Sequence, residues 1–256
     1  MDHVDGGLDR ASLDVAGSAA GGERDESFRR IAFGVLAGLI AGLVSLGVGE
    51  GVVNYYGSLL LPAIKKNPTP EEVRVWKESR FYSAVITYAA MGAILGLTMG
   101  SAGGLVRGSL PRTANAAIQG LMLGIIVAAS LSSAVVAVFY KFYDPQSGDL
   151  LLPLICHGAI WSAVGACAGF AFGHGLGARG QRKLALFGGF LGGLAAAVIY
   201  EIVGAVAFPS SKCDLPISTS IASRSMAHLL VALLTAVGAL MALQNVARSS
   251  QTLSER

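Results

Sequence analysis

Charge is what this chain has little of. Of its 256 residues, 14% are Asp, Glu, Lys or Arg, whereas a soluble domain carries about a quarter. The shortage is also uneven. Charged residues gather in the first thirty positions, in 65–80 and in short clusters, and long uncharged stretches separate them. That distribution, with a mean hydropathy of +0.61, excludes an ordinary soluble domain and marks a chain built for a membrane.

Cysteine is scarce as well. Three in a chain of this length make no disulfide scaffold, and the spacing of Cys156, Cys167 and Cys213 fits no zinc template. The net charge of +3 comes without a Lys/Arg-rich block, so no nucleic-acid partner is expected. Gly-x-Ser-x-Gly, Gly-x-Gly-Asp and His-Glu-x-x-His are all absent, and the chain is not expected to be an enzyme. Gly175-Leu-Gly177-Ala-Arg-Gly180 matches G-x-G-x-x-G letter for letter. That fingerprint needs a strand before it and a helix after it in a βαβ unit. Here it joins two apolar runs and leads into Gln181-Arg182-Lys183, so it reads as a turn. Neither a nucleotide nor any other cofactor is expected.

Long apolar runs are what the chain does have. Roughly 20 apolar residues cross the hydrocarbon core, and six such runs lie near 31–53, 82–104, 114–138, 153–174, 184–207 and 226–246. Lipid forces each segment to satisfy its own backbone N–H and C=O groups, so helices are the default. The fold class is therefore an all-α membrane protein with six transmembrane helices over 29–249. A disordered polar tail is expected over 1–28 and a polar tail over 250–256.

One pattern recurs inside these runs. Ala90-Met-Gly92-Ala93-Ile-Leu-Gly96 returns as Ala163-Val-Gly165-Ala166-Cys-Ala-Gly169 and as Ala236-Val-Gly238-Ala239-Leu-Met-Ala242, with 73 residues between successive copies. The odd spans share another, in which Gly34, Gly38 and Gly42 align with Gly120, Gly124 and Ala128 and with Gly188, Gly192 and Ala196. The connector Gly57–Ile64 resembles Gly148–Ile155. These matches fall in the same order and predict three tandem Gly-rich helical hairpins, about 31–104, 114–174 and 184–246. The glycines are expected to serve as packing faces. Thr69-Pro70-Glu71-Glu72 has the form of a capping box. It predicts an inserted helix over about 69–80 at the membrane interface, with Trp76 at headgroup depth.

Arg29, Arg30, Arg107, Arg112, Arg179, Arg182 and Lys183 fall on one side of the spans, which predicts both termini in the cytoplasm and a multi-pass location in the cell membrane. Glu50 and Glu201 then lie toward the outer ends of spans 1 and 5. His157 and His228 lie near the outer starts of spans 4 and 6. An intramembrane carboxylate needs a partner, a proton or water. Two readings of these four residues stand: interfacial groups reaching water, or a convergent ion or proton pathway whose carboxylate and imidazole donors would also suit a metal. Which metal, if any, the sequence leaves open. Cys156 and Cys213 share the outer side and are candidates for a disulfide.

Two functions follow. One is a small transporter or channel moving an ion or small solute through a pseudo-three-fold bundle. The other is a non-catalytic assembly protein that associates with itself or another membrane protein through Gly-xxx-Gly faces. In both, the constant partner is the lipid bilayer.

Overall fold

The computed structural model describes the backbone of residues 8–58, 69–144 and 149–254, and side chains over 26–58, 69–144 and 149–245. It is all-helical over these residues: α1 (Leu8–Ser58), α2 (Pro70–Val106), α3 (Leu110–Phe142), α4 (Leu151–Leu176), α5 (Arg179–Ala207) and α6 (Ile221–Ser254). All six are long and apolar enough to cross a membrane, and the chain is a multi-pass membrane protein. Most of the connector 57–64, and position 148 of the stretch it resembles, lie outside the described residues.

Two helices are longer at their polar ends than the sequence predicts. α1 starts at Leu8 and α6 runs to Ser254, so polar segments expected as tails continue the helices. Once an apolar span is helical, each further residue gains a hydrogen bond without a new nucleation cost.

The segment expected as a separate interfacial helix is instead the first part of α2. Its capping box forms as predicted: Glu72 N–H donates to Thr69 Oγ1 at 3.3 Å and Thr69 N–H to Glu72 Oε2 at 2.8 Å. No glycine or proline interrupts the chain between Glu71 and Tyr88, so the helix runs on. At ~1.5 Å per residue the 37 residues of α2 reach farther than the ~40–45 Å of a whole bilayer. Trp76 packs edge-on to Tyr140 of α3, centroids 6.4 Å apart, with the Arg80 guanidinium 5.7 Å from its ring.

α2 and α4 are the most buried spans and α3 the least. Close approach between helices is set by glycine. A Cβ placed on Gly92 or Gly96 would run into the backbone of Gly124 or Gly120, and one on Gly165 or Gly169 into that of Gly189 or Ala185. Gly188 and Gly192 meet the backbone at Gly238 and Leu234, while Gly38 meets Ala232 and Ala236. Gly42 lies against His228 and Leu229, and Gly34 against Leu240. Seams of this tightness join α2 to α3 and α4 to α5, across the boundaries between the expected hairpins, and equally α5 to α6 within the third. α5 carries two glycine columns, Gly188/Gly192 toward α6 and Gly189/Gly193 toward α4.

The two ends of the bundle differ. At one, Arg107 donates to the Leu176 carbonyl at 3.0 Å and Arg30 pairs with Glu26 at 3.0 Å, while Gly177 ends α4 with a φ of 96°. Behind this arginine-rich end the interior is closed by Leu95, Met99, Phe172 and Leu176, each buried. At the other end, the connector 208–220 folds back into the bundle. Its Ser211, Cys213, Leu215, Pro216 and Ser218 are buried, and Thr219 N–H closes it onto the Ser211 carbonyl at 2.9 Å.

The seams can be tested by one pair of substitutions. Gly96→Ala drives a methyl into the Gly120 backbone, which cannot swing away, and should cost about 1–3 kcal/mol. Gly47→Ala, with open space around it, should be neutral or stabilise by under about 1 kcal/mol because alanine orders more cheaply in a helix. Unfolding of the purified chain in mixed micelles compares the two directly.

Candidate functional site at the connector end

A carboxylate and an imidazole meet inside the bundle where α4 faces α5. His157 is 1% and Glu201 5% exposed, and His157 Nδ1 lies 2.5 Å from Glu201 Oε1. Trp161, one turn along α4, packs on the imidazole at 4.8 Å, and Tyr200 meets it edge-on at 5.3 Å. The other ring nitrogen, Nε2, is 3.3 Å from the Pro216 carbonyl, which also accepts from the Tyr88 hydroxyl of α2.

The partners fix the proton count. A carbonyl only accepts, so Nε2 carries a hydrogen, and the short Nδ1–Oε1 contact needs one more between its two atoms. The pair is therefore imidazolium with carboxylate or imidazole with carboxylic acid. Each form is neutral as a whole, which is what makes burial in a membrane affordable.

A second ion pair joins α1 to α6. Arg224 holds both oxygens of Glu50, Nε to Oε1 at 2.6 Å and Nη2 to Oε2 at 2.7 Å, and its Nη1 donates to the Ser218 carbonyl at 3.0 Å. One turn on, His228 Nδ1 is 2.9 Å from Ser45 Oγ. Ser45 Oγ also donates to the Gly42 carbonyl at 3.2 Å, which suits Nδ1 as the donor toward Ser45; in the neutral ring of that tautomer Nε2 is an acceptor. A Cβ on Gly49 would lie 3.0 Å from that Nε2 and 3.2 Å from Thr87 Cγ2. Glycine is what lets α1 pass there.

Two cavities flank these pairs. The inner one, about 20 Å³, is bordered by His157, His228, Arg224, Thr87, Trp161 and Tyr88. Thr87 Oγ1 and Trp161 Nε1, both buried, make no hydrogen bond of standard geometry among the described residues. The outer one is a cup of about 240 Å³ that includes Asp144, Asp149, Lys212 and Asp214 and has Glu201 in its lining. Tyr143, just past the end of α3, donates to Asp214 Oδ2 at 2.5 Å. Burial, then that hydrogen bond and the Asp214 charge, raise the Tyr143 hydroxyl well above its usual value, so it remains the donor.

The four residues singled out from the sequence all lie at this end. They form two arms, with Glu201 on His157 and with Glu50 and His228 on separate α6 or α1 partners. Among the described residues, no three His, Cys, Asp or Glu side chains come together as a metal site. Cys156 and Cys213 are both free, as is Cys167, and the expected disulfide is not formed. Cys213 Sγ is 3.0 Å from Ser223 Oγ, while Cys156 sits against the α3 face at Val135 and Phe139. Each thiol is held by the packing of its own segment.

Arg224, Tyr88, Trp161 and Ser45 are the site residues that sequence reasoning did not single out. Arg224 had a signal, standing four residues before His228 and hence on the same helix face. Tyr88 and Trp161 had none, since aromatic residues in an apolar span read as packing.

The Glu50–Arg224 pair is partly exposed, at 18% and 11% of the two side chains, and its loss can be read by a double-mutant cycle. Glu50→Gln and Arg224→Gln should each destabilise the chain by about 1–3 kcal/mol, since either leaves a largely desolvated partner. The double variant should cost clearly less than the sum; additive losses would mean that the pair does not couple the two helices.

Compared with protein-family models, curated proteins and solved structures, the chain matches none.

Proposed function

We propose that the chain is a secondary transporter for an ion or small solute, in which the His157–Glu201 pair holds the proton that drives the cycle. The observation that carries this reading is a hydrogen-bonded carboxylate–imidazole pair buried inside a membrane bundle, with a cavity against each partner. A purely structural role is better served by apolar packing, because a buried ion pair contributes little net stability. Such groups within membrane spans belong typically to proton or substrate pathways.

The state described is closed toward the arginine-rich end, where Leu95, Met99 and Phe172 fill the interior. A carrier has to open that side in another state, and a bundle of internally repeated hairpins lends itself to such rocking about a fixed site. We read the three 73-residue units in that sense, as a pseudo-three-fold arrangement in the cell membrane with both termini in the cytoplasm. The assembly reading has less to draw on. The glycines at 34, 38, 42, 92, 96, 120, 124, 165, 169, 188, 192 and 238 are all met by neighbours from within the chain, so these faces are already spent.

Flux in proteoliposomes tests the reading. Against a panel of monovalent and divalent ions and small organic acids and bases, at least one solute should move with an imposed pH gradient. Glu201→Gln should lower that flux at least tenfold. No gradient-dependent flux for any solute, or an undiminished rate in Glu201→Gln, contradicts the proposal.

A further inference from the structure

The hydrogen-bonded pair is also the wall between the two cavities. Glu201 lines the outer cup and is not among the residues lining the inner cavity, whereas His157 lines the inner cavity and not the cup. Of the two Glu201 oxygens, Oε1 is taken by His157, and no hydrogen bond to Oε2 is recorded among the described residues. Across the inner cavity from His157 stands a second imidazole, His228, whose Nδ1 faces Ser45 and whose Nε2 is an acceptor in the tautomer that suits that contact.

The space between the two rings is small and mostly apolar-walled, with a few polar groups on its lining. A cavity needs about 10–15 Å³ by this measure to hold a water, and the water needs two to four polar partners. The cavity measures about 20 Å³; Thr87 Oγ1 is buried in its lining with no hydrogen bond among the described residues, and Trp161 Nε1 beside it meets only the Tyr88 hydroxyl, outside standard hydrogen-bond geometry. The indole N–H can only donate, and a water there offers it a better-aligned acceptor than the Tyr88 hydroxyl. A water that takes the indole hydrogen can give its own to His228 Nε2 and still engage Thr87.

We infer that the proton site is a relay, running from the outer cup through Glu201 and His157 to a single water held by Thr87 and Trp161, and from it to His228. This rests on the transport reading above and adds to it the side from which the proton loads and a second proton acceptor. The steps balance as one proton moved at each. A hydronium in the cup gives a proton to Glu201 Oε2, and Oε1 releases one to His157 Nδ1. Nε2 then releases its hydrogen to the bound water, breaking its bond toward the Pro216 carbonyl, and the water gives one of its hydrogens to His228 Nε2. Excess charge passes from the α4–α5 arm to the α1–α6 arm, where the Glu50 carboxylate beside Arg224 lies within reach of the new imidazolium. The charged and titratable neighbours are Tyr88 on α2, Arg224 on α6, Glu50 on α1, and Lys212 and Asp214 in the connector.

The test is solvent exchange of the histidine ring hydrogens, followed by ¹⁵N-resolved NMR on the full chain in nanodiscs transferred to D₂O. The two rings are assigned with His157→Asn and His228→Asn. His228 should exchange at least tenfold more slowly in Glu201→Gln, which keeps an acceptor for His157 but removes the proton-loading group. The same slowing should appear in Thr87→Val, which keeps the volume and removes the hydroxyl. Unchanged His228 exchange in both variants overturns the relay, as does slowing in Glu201→Gln alone, which would place the water outside the route. Exchange needs no solute, so a relay that passes this test beside an absent flux would refute only the transport reading.

Discussion

Polar groups inside a bilayer have no water to fall back on, and most of this structure answers that constraint. Backbone groups are satisfied by making every crossing a helix. The carboxylates cannot be handled that way, and each is met by a specific partner from another helix: Glu201 by His157 across α4–α5, and Glu50 by Arg224 across α1–α6. Those two pairs then dictate how the connector folds. Its Pro216 and Ser218 carbonyls are drawn into the bundle because His157, Tyr88 and Arg224 need acceptors there. The buried connector is thus the roof of the site as well as a link between helices.

Close packing allows the partners to reach each other. Glycine at Gly92, Gly96, Gly165 and Gly189 brings backbones together, which leaves the even helices inside and pushes the odd ones outward. Where α1 passes the site, Gly49 leaves room for the His228 ring and Thr87. The arginine-rich end is packed with Leu95, Met99 and Phe172. The connector end keeps its space, divided by one hydrogen-bonded pair. The asymmetry between a sealed end and a divided, polar end gives a direction to any proton that enters.

Much of the architecture was legible from residue spacing. Apolar run length marked the six helices, and the capping box at Thr69 was visible as four letters. The candidate glutamates and histidines stood out because charge in an apolar run is expensive. The partnerships were not legible, because they join residues 44 and 174 positions apart and depend on the rotation of helices about their axes. The same rotation decides that Gly96 faces Gly120 across the expected hairpin boundary. The doubled glycines of α5 were in plain sight at 188–189 and 192–193, and signalled a helix gripped on two sides. The capping box marks where a helix starts but not where it ends, and since nothing after it stops a helix, 69–80 runs on into the second span.

The central claim is that, in the state described, Glu201 is reached by water through the cup at the connector end. Thiol accessibility measures this most directly. In a chain with Cys156, Cys167 and Cys213 replaced by serine and reconstituted in one orientation, Glu201→Cys is exposed to a membrane-impermeant reagent on each side in turn. Asp149→Cys at the rim of the cup reports the connector side. The account predicts that position 201 reacts from the same side as position 149, more slowly because it lies at depth. No reaction from the connector side, or reaction only with a lipid-soluble reagent, would contradict it.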